Sequence, residues 1–278
     1  MRINWKENPV HLDHIMLYSS EPARLAAFYR DALCMKMSKN DSFIELENEG
    51  RKLLVCEGES RKLGFGAFVF PNDDTLNRFR DELGHSGFNL NPSPSSKFSG
   101  SSFSIDDPDG NCIVFGTVSP GLSGDGMPAR LQHLVVATDE MDSMLQFYIH
   151  DLGFNVIDRV EDESGDLRAC FLNSDKEHHS FAFFKAPEKR LDHHAYDVGE
   201  WSLIRDWADH FSTYDIKIVW GPGRHGPGNN LFFMVHDPDG NWVEISAELE
   251  QLIKDREIGI WPHNEKALNI WGPGYLRS

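Results

Sequence analysis

One segment of this chain can be laid over another. HLDHIMLYSSEPARLAAFYRDALCMKM, from His11, aligns without gaps on RLQHLVVATDEMDSMLQFYIHDLGFNV, from Arg130; His14 meets His133, Phe28 meets Phe147, Tyr29 meets Tyr148 and Leu33 meets Leu152. The offset is 133 − 14 = 119. Farther on, DDPDGNCIVF matches HDPDGNWVEI with an offset of 237 − 107 = 130, so the second copy carries 130 − 119 = 11 more residues between the two blocks. Such a repeat means two copies of one module, and 278 residues suffice for two domains with a core each. We expect an N-terminal module over residues 1–118, a linker over 119–128, a C-terminal module over 129–250 and a tail over 251–278. The linker rests on SPGLSGDGMP, whose Gly, Ser and Pro suit no regular element.

Within each copy the pattern reads strand, helix, several strands, helix, strands. HIMLY and HLVVA alternate as strands. A helix follows each, announced by Ser20 and Pro22 or by Thr138 and Asp139, with Leu25, Phe28, Tyr29 and Leu145, Tyr148, Leu152 at helical spacing. TLNRFRDELGHSG and SLIRDWADHFSTYD form the later amphipathic helices, the first stopped by Gly84. DPDG is a tight turn between strands, with Gly supplying positive φ.

Charge narrows the function classes. With 27 basic and 44 acidic residues, a net charge of −17 argues against nucleic acid or an anionic membrane as partner. Cys34, Cys56, Cys112 and Cys170 stand apart without a CxxC pair, which points to core thiols in a reducing compartment. MRINWKENPV has no apolar run of signal-peptide type, so a cytoplasmic protein is expected.

In NWVEIS, alternation puts Trp242, Glu244 and Ser246 on one face of a strand. Taken alone, such a glutamate is an edge residue turned to water. The repeat argues otherwise. The first copy has Val114 where the second has Glu244, and Phe65 where the second has His193, while His133 keeps its counterpart His14. Two imidazoles and one carboxylate on three strands are what a facial triad for non-haem Fe(II) requires, so the metal site is expected in the second module and lost from the first.

These residues carry a resemblance to the vicinal oxygen chelate superfamily, and the second half resembles its type I extradiol, catechol 2,3-dioxygenase-like branch. The match is most specific in GRHGPGNNLFFMVHDPDGNWVE, which fits a Gly-x-His, an apolar strand, Asp-Pro-x-Gly and then Glu. The resemblance implies an α+β fold of two tandem modules, each of paired βαβββ units forming an open, cupped mixed sheet around a cavity. It implies Fe(II), with Mn(II) as the other metal, held by His133, His193 and Glu244. It further implies a catechol-type substrate, O2 as co-substrate, ring opening beside a hydroxylated carbon, and a homo-oligomer.

His193 and His194 are adjacent and must face opposite ways; the family's pattern of ligand His, any residue, small residue, apolar residue fits His193. In KEHHSFAFF, His179 takes the family's acid/base position and His178 lies one face away. His225 takes a position that hydrogen-bonds near the substrate oxygen, Arg224 reads as a solvated charge, and Met234 with Trp242 is expected in the substrate pocket. Met234 departs from the family, which has Tyr ten residues before the ligand Glu; a thioether cannot donate that hydrogen bond. This motivates a second reading, another metal-dependent reaction of the superfamily such as glyoxalase-type isomerisation or oxidation of a non-catechol. A third is a metal-free aromatic-binding relative. The tail is a lid over the pocket, a packed C-terminal extension or a subunit contact.

Overall fold

The computed structural model describes residues 7–40, 42–118, 124, 126–254 and 256–276. Most of the linker expected at 119–128 lies outside them. Two mixed sheets carry the chain. The first holds β1 (His11–Ser19), β2 (Lys36–Lys39), β3 (Ile44–Asn48), β4 (Arg51–Glu57), β5 (Lys62–Val69), β6 (Asn91–Pro92), β7 (Ser99–Asp106) and β8 (Cys112–Thr117), in the order β2-β3-β4-β1-β5-β8-β7-β6. The second holds β9 (Arg130–Thr138), β10 (Asn155–Glu161), β11 (Leu167–Asn173), β12 (Phe181–Lys185), β13 (Arg190–Asp197), β14 (Trp220–Arg224), β15 (Leu231–His236), β16 (Trp242–Ala247) and β17 (Gly259–Pro262), in the order β14-β15-β16-β13-β9-β12-β11-β10-β17.

Strand for strand, β9 to β16 repeat β1 to β8. β1 runs parallel to β4 and antiparallel to β5, as β9 does to β12 and β13. Each sheet is thus a pair of βαβββ units, as the resemblance implies. β17 has no counterpart in the first sheet; it brings the tail alongside β10, with Gly259 opposite Asp158.

The helices cover the apolar faces of the sheets. α1 (Pro22–Ala32) buries Leu25, Ala26, Tyr29 and Ala32, with Pro22 at its first turn as expected and Glu21, not Ser20, before it. α2 (Asp73–His85) is capped by Asn72, whose Oδ1 accepts from Thr75 N at 2.9 Å. It runs through Gly84 instead of stopping there; the left-handed turn comes at Gly87, with φ +86°. α3 (Met141–Leu145) is one short stretch that widens into a π-helical turn over Gln146–Asp151. α4 (Trp201–Ser212) turns Ile204, Trp207 and Phe211 inward. No helix among the described residues is long and apolar enough to cross a membrane.

The DPDG turns do more than reverse the chain. Asp107 and Asp237 each accept from two backbone N–H groups and the Asn side chain of their own turn. Each also reaches across to the other module: Tyr29 Oη donates to Asp237 Oδ2 and Tyr148 Oη donates to Asp107 Oδ2, both at 2.9 Å. The repeated Tyr and the repeated Asp therefore form a reciprocal pair of buried latches. A Tyr29→Phe protein is expected to lose about 1.5–3 kcal/mol, the scale of a hydrogen bond to a charged group, and Tyr148→Phe a similar amount. Denaturant unfolding of both single variants and the double should show near-additive losses, since the two latches share no partner; an unchanged midpoint would remove their energetic role.

Candidate metal centre

β13 lies between β9 and β16, so the strands carrying His133, His193 and Glu244 are neighbours. Register puts Ala195 opposite both His133 and Glu244, which aims the three side chains into one cup. One ligand-capable atom from each lies within 4.8 Å of the others, and all three residues are buried. Glu244 is no edge residue turned to water: it is 1% exposed on a strand flanked on both sides.

A local irregularity positions each imidazole. The pairing of β9 with β13 skips Asp192 between Leu191 and His193, and skips Gln132 between Leu131 and His133. A bulge of this kind re-aims the extra residue's side chain, here toward the ring that follows it. Asp192 Oδ1 sits 2.6 Å from His193 Nδ1, and Gln132 Oε1 sits 2.5 Å from His133 Nδ1. The Gln132 amide has one orientation, because its Nε2 donates to the His179 carbonyl at 2.6 Å and to Glu177 at 3.2 Å. Both His133 and His193 must therefore carry their proton on Nδ1, leaving lone pairs on both Nε2 atoms. Neither Gln132 nor Asp192 was singled out from the sequence, although a polar residue precedes the His in each of LDH, LQH and LDH.

The donor set fits a cation. The two Nε2 atoms are 3.2 Å apart, and Glu244 Oε2 lies 3.9 Å from His133 Nε2 and 3.5 Å from His193 Nε2. Two metal–nitrogen bonds of about 2.1 Å at a right angle put their nitrogens about 3 Å apart. Lone pairs and a carboxylate converging at this range repel one another unless positive charge lies among them. Burial first, and the neighbouring imidazoles second, hold His133 well below the ordinary histidine range, which keeps it in the neutral form a metal needs.

Around this point lies a cavity with mainly apolar walls. His179 lines it, its ring 4.4 Å from that of His133, and burial followed by the charge of nearby imidazoles keeps it well below its usual pKa. His225 lines it too; its Nδ1 donates to the Leu268 carbonyl, its ring stacks on Phe232, and its Nε2 faces Glu244 Oε2 at 3.7 Å. Met234 pairs with Glu244 across β15 and β16 and lines the same wall. Asn230, not foreseen, donates to Glu244 Oε1 at 3.1 Å and to Ser246 Oγ at 2.8 Å.

Two expectations change. Trp242 shares the face of Glu244 but lies one repeat farther toward the turn, packs edge-on against His236 at 4.3 Å and does not line the cavity. Arg224 is no free surface charge: it bonds Glu248 and the Asn229 carbonyl and lies over the Trp271 ring of the tail. His194 points to the opposite face, where its Nε2 meets Tyr29 Oη at 3.1 Å and burial depresses it to about 3. The tail contributes Ala267, Leu268, Tyr275 and Leu276 to the cavity wall, and Trp220 Nε1 donates to the Pro273 carbonyl at 3.0 Å.

The equivalent place in the first sheet is filled. His14 again follows a bulged aspartate, Asp13, at 2.7 Å, but its Nε2 bonds Ser95 Oγ at 2.6 Å and its ring meets Phe65 and Phe98 edge-on. Phe65, Val114, Met16, Leu54 and Phe98 close the cup with apolar side chains.

Known proteins resemble this chain in sequence and in fold. The family model described as "Glyoxalase/Bleomycin resistance protein/Dioxygenase superfamily" matches twice, over residues 11–115 and 130–245. A metapyrocatechase of Pseudomonas sp. (strain CF600) is 25% identical over 92% of this chain and 92% of its own length. Metapyrocatechase 2 of Cupriavidus necator is 30% identical over 53% of this chain, a match spanning 45% of that relative. The Mn(II)-bound glyoxalase from Novosphingobium aromaticivorans superposes with a TM-score of 0.84 at 22% identity, covering 96% of this chain and 92% of that one. With the model matching both halves, and with the strand order repeated in both sheets, the chain belongs to the Glyoxalase/Bleomycin resistance protein/Dioxygenase superfamily.

Proposed function

We propose that this chain is an Fe(II)-dependent extradiol dioxygenase that opens the ring of a catechol-type aromatic with O2. The observation that carries this reading is the convergence of two Nε2 lone pairs and the Glu244 carboxylate on one point at the base of an apolar cavity. The names of the two metapyrocatechases support it. Fe(II) held by His133, His193 and Glu244 supplies Lewis acidity toward the catechol oxygens and reactivity toward O2. The protein's own share is positioning, proton handling and the exclusion of water. His179 takes a proton from a substrate hydroxyl and returns it later, His225 places a hydrogen bond near the substrate oxygen, and the tail residues Leu268 and Tyr275 keep the cavity dry.

The walls narrow the substrate. Val135, Val160, Phe171, Phe184 and Met234 are apolar, and among the described residues that line the cavity none is Lys or Arg. A carboxylate on the substrate would find no Lys or Arg there, and His263, the histidine of the wall outside the triad and its neighbours, is held below its usual pKa by burial and by Arg168, so burying that charge would cost several kcal/mol. We therefore read the substrate as a catechol with an alkyl or aryl substituent.

Met234 favours one rival. With a thioether where the extradiol signature has a Tyr, the same metal site could serve isomerisation or oxidation of a non-catechol, and the fold likeness to a Mn(II)-bound glyoxalase accords with that. Oxygen uptake after anaerobic loading with Fe(II) or Mn(II) separates the two. Alkyl and aryl catechols are expected to drive uptake, with kcat/KM at least about 100-fold above that of 3,4-dihydroxyphenylacetate. Metal-loaded protein that consumes no O2 with any catechol would give the rival preference.

A further inference from the structure

The first sheet holds a line of three polar side chains that the chemistry above does not use. Asp13 Oδ2 is 2.7 Å from His14 Nδ1, and His14 Nε2 is 2.6 Å from Ser95 Oγ. His14 is 0% exposed and Ser95 9%, the serine standing in the chain between the exposed Pro94 and Ser96. Ser95 belongs to the loop between β6 and β7, which is tied down beside it. Ser96 Oγ donates to Glu45 Oε1 at 2.9 Å, and Lys97 Nζ meets Glu45 at 2.8 Å and Glu47 at 3.1 Å.

The partners fix where the protons sit. Burial raises the Asp13 carboxyl, but His14 and Lys52 outweigh it and hold it below its usual value, so it is a carboxylate and can only accept. His14 therefore carries a proton on Nδ1. Burial, reinforced by the charges of Lys52 and Lys97 and opposed by Asp13, keeps the ring below the ordinary histidine range. At neutral pH it is uncharged, its Nε2 holds a lone pair, and the Ser95 hydroxyl donates to that lone pair. From the other side the Lys97 N–H donates to Ser95 Oγ at 3.0 Å.

We propose that Asp13, His14 and Ser95 form an acyl-transfer site, with Ser95 as nucleophile, His14 as its base, Asp13 as the positioning residue and a small ester with a good leaving group, such as an aryl acetate, as substrate. A hydroxyl bonded to an imidazole whose far nitrogen is held by a carboxylate is the arrangement this chemistry requires. Ser95 Oγ bonds to the ester carbonyl carbon as its proton passes to His14 Nε2. The bond from that carbon to the leaving oxygen then breaks, and the leaving oxygen takes the proton. Water attacks the acyl-serine through the same imidazole and releases the acid; nothing is oxidised or reduced. The Lys97 N–H is within reach of the oxyanion borne by the carbon bonded to Oγ. One such donor is modest support, hence the need for a good leaving group. Phe65 and Phe98 stand edge-on to the His14 ring at 5.6 and 4.7 Å, so the ester approaches from the loop side and its acyl group must be small.

The test is the covalent adduct. The full chain is incubated with 4-nitrophenyl acetate, quenched in acid during turnover and read by peptide mass spectrometry, which is expected to find an acetyl group on Ser95. Ser95→Ala, which removes a single oxygen, should abolish that adduct. His14→Gln should slow acetylation of Ser95 by about 100-fold or more, and Asp13→Asn by at least about tenfold, a loss that Asp13→Glu should largely spare because it keeps the carboxylate. The hexanoate ester should acylate Ser95 far more slowly than the acetate. A wild-type protein with no acetyl group on Ser95 overturns the proposal whether or not any variant folds. So does acetylation of Ser95 at the wild-type rate in Asp13→Asn or His14→Gln. Because the adduct is located by residue and needs neither metal nor O2, this site and the ring-cleaving one stand or fall separately.

Discussion

Replacing Glu244 with alanine is expected to leave a folded protein that no longer holds iron. The carboxylate is the one anionic member of the triad, so its loss takes away charge neutralisation as well as a donor atom. About 4 kcal/mol of metal affinity, a factor of a thousand, is the expected scale. Stability of the metal-free protein should move little. A buried carboxylate is costly to keep, its removal takes the charge with it, and Asn230 retains Ser246 as an acceptor at 2.8 Å. Metal content after anaerobic Fe(II) loading and desalting should fall from one equivalent to near zero, and O2 uptake with an active catechol should fall by more than about a thousandfold. Full iron content together with full ring-cleaving activity would sink the ligand assignment.

The second large effect should come from a residue that never touches the metal. In an Asp192→Ala protein, His193 loses the acceptor for its Nδ1 proton at 2.6 Å, and both the tautomer and the tilt of the ring are released. Loss of such a partner typically lowers metal affinity 10- to 100-fold. Saturating Fe(II) should restore much of the activity, which separates this variant from Glu244→Ala. The repeat supplies its own control: Asp13 holds His14 in the same way at 2.7 Å, in a module whose cup is filled with Phe65, Phe98 and Val114. Asp13→Ala is expected to leave metal affinity within about twofold while lowering stability slightly, because Lys52 pairs with Asp13 at 2.9 Å. Equal losses of metal from the two variants would mean that Asp192 acts through the fold and not through His193.

Much of this site was legible because it depends on period-two alternation and on a repeat. Both survive as strings: His14 over His133, Val114 against Glu244, DPDG twice. The bulges did not show, because one skipped residue in a ladder is a matter of pairing between strands and leaves no mark on either strand alone. The polar residue before each His was a signal, but meaningful only once a bulge turns it toward the ring. The π-helical turn over Gln146–Asp151 was hidden for a different reason: across six residues, a period near 4.4 and one of 3.6 select nearly the same apolar positions. Gly84 misled because a glycine inside an amphipathic helix is tolerated where its neighbours Phe79 and Leu83 are well buried. Trp242 was placed on the correct face, but a face does not say how far along the strand a cavity extends. The contribution of the tail could not be foreseen, since β17 pairs with β10 about a hundred residues earlier and shows no period of its own.

The crossed tyrosines bear on how such a chain can change over time. Tyr29 belongs to the half without the metal triad, yet it secures the turn that begins the strand of Glu244; Tyr148, from the other half, returns the service to Asp107. Each half is therefore a scaffold part of the other. With its cup filled by apolar side chains, the first half still cannot drift freely, because the turn leading into the strand of Glu244 depends on what it donates. Duplication here has produced mutual dependence in place of redundancy: each copy supplies a tyrosine that holds a turn of the other in shape.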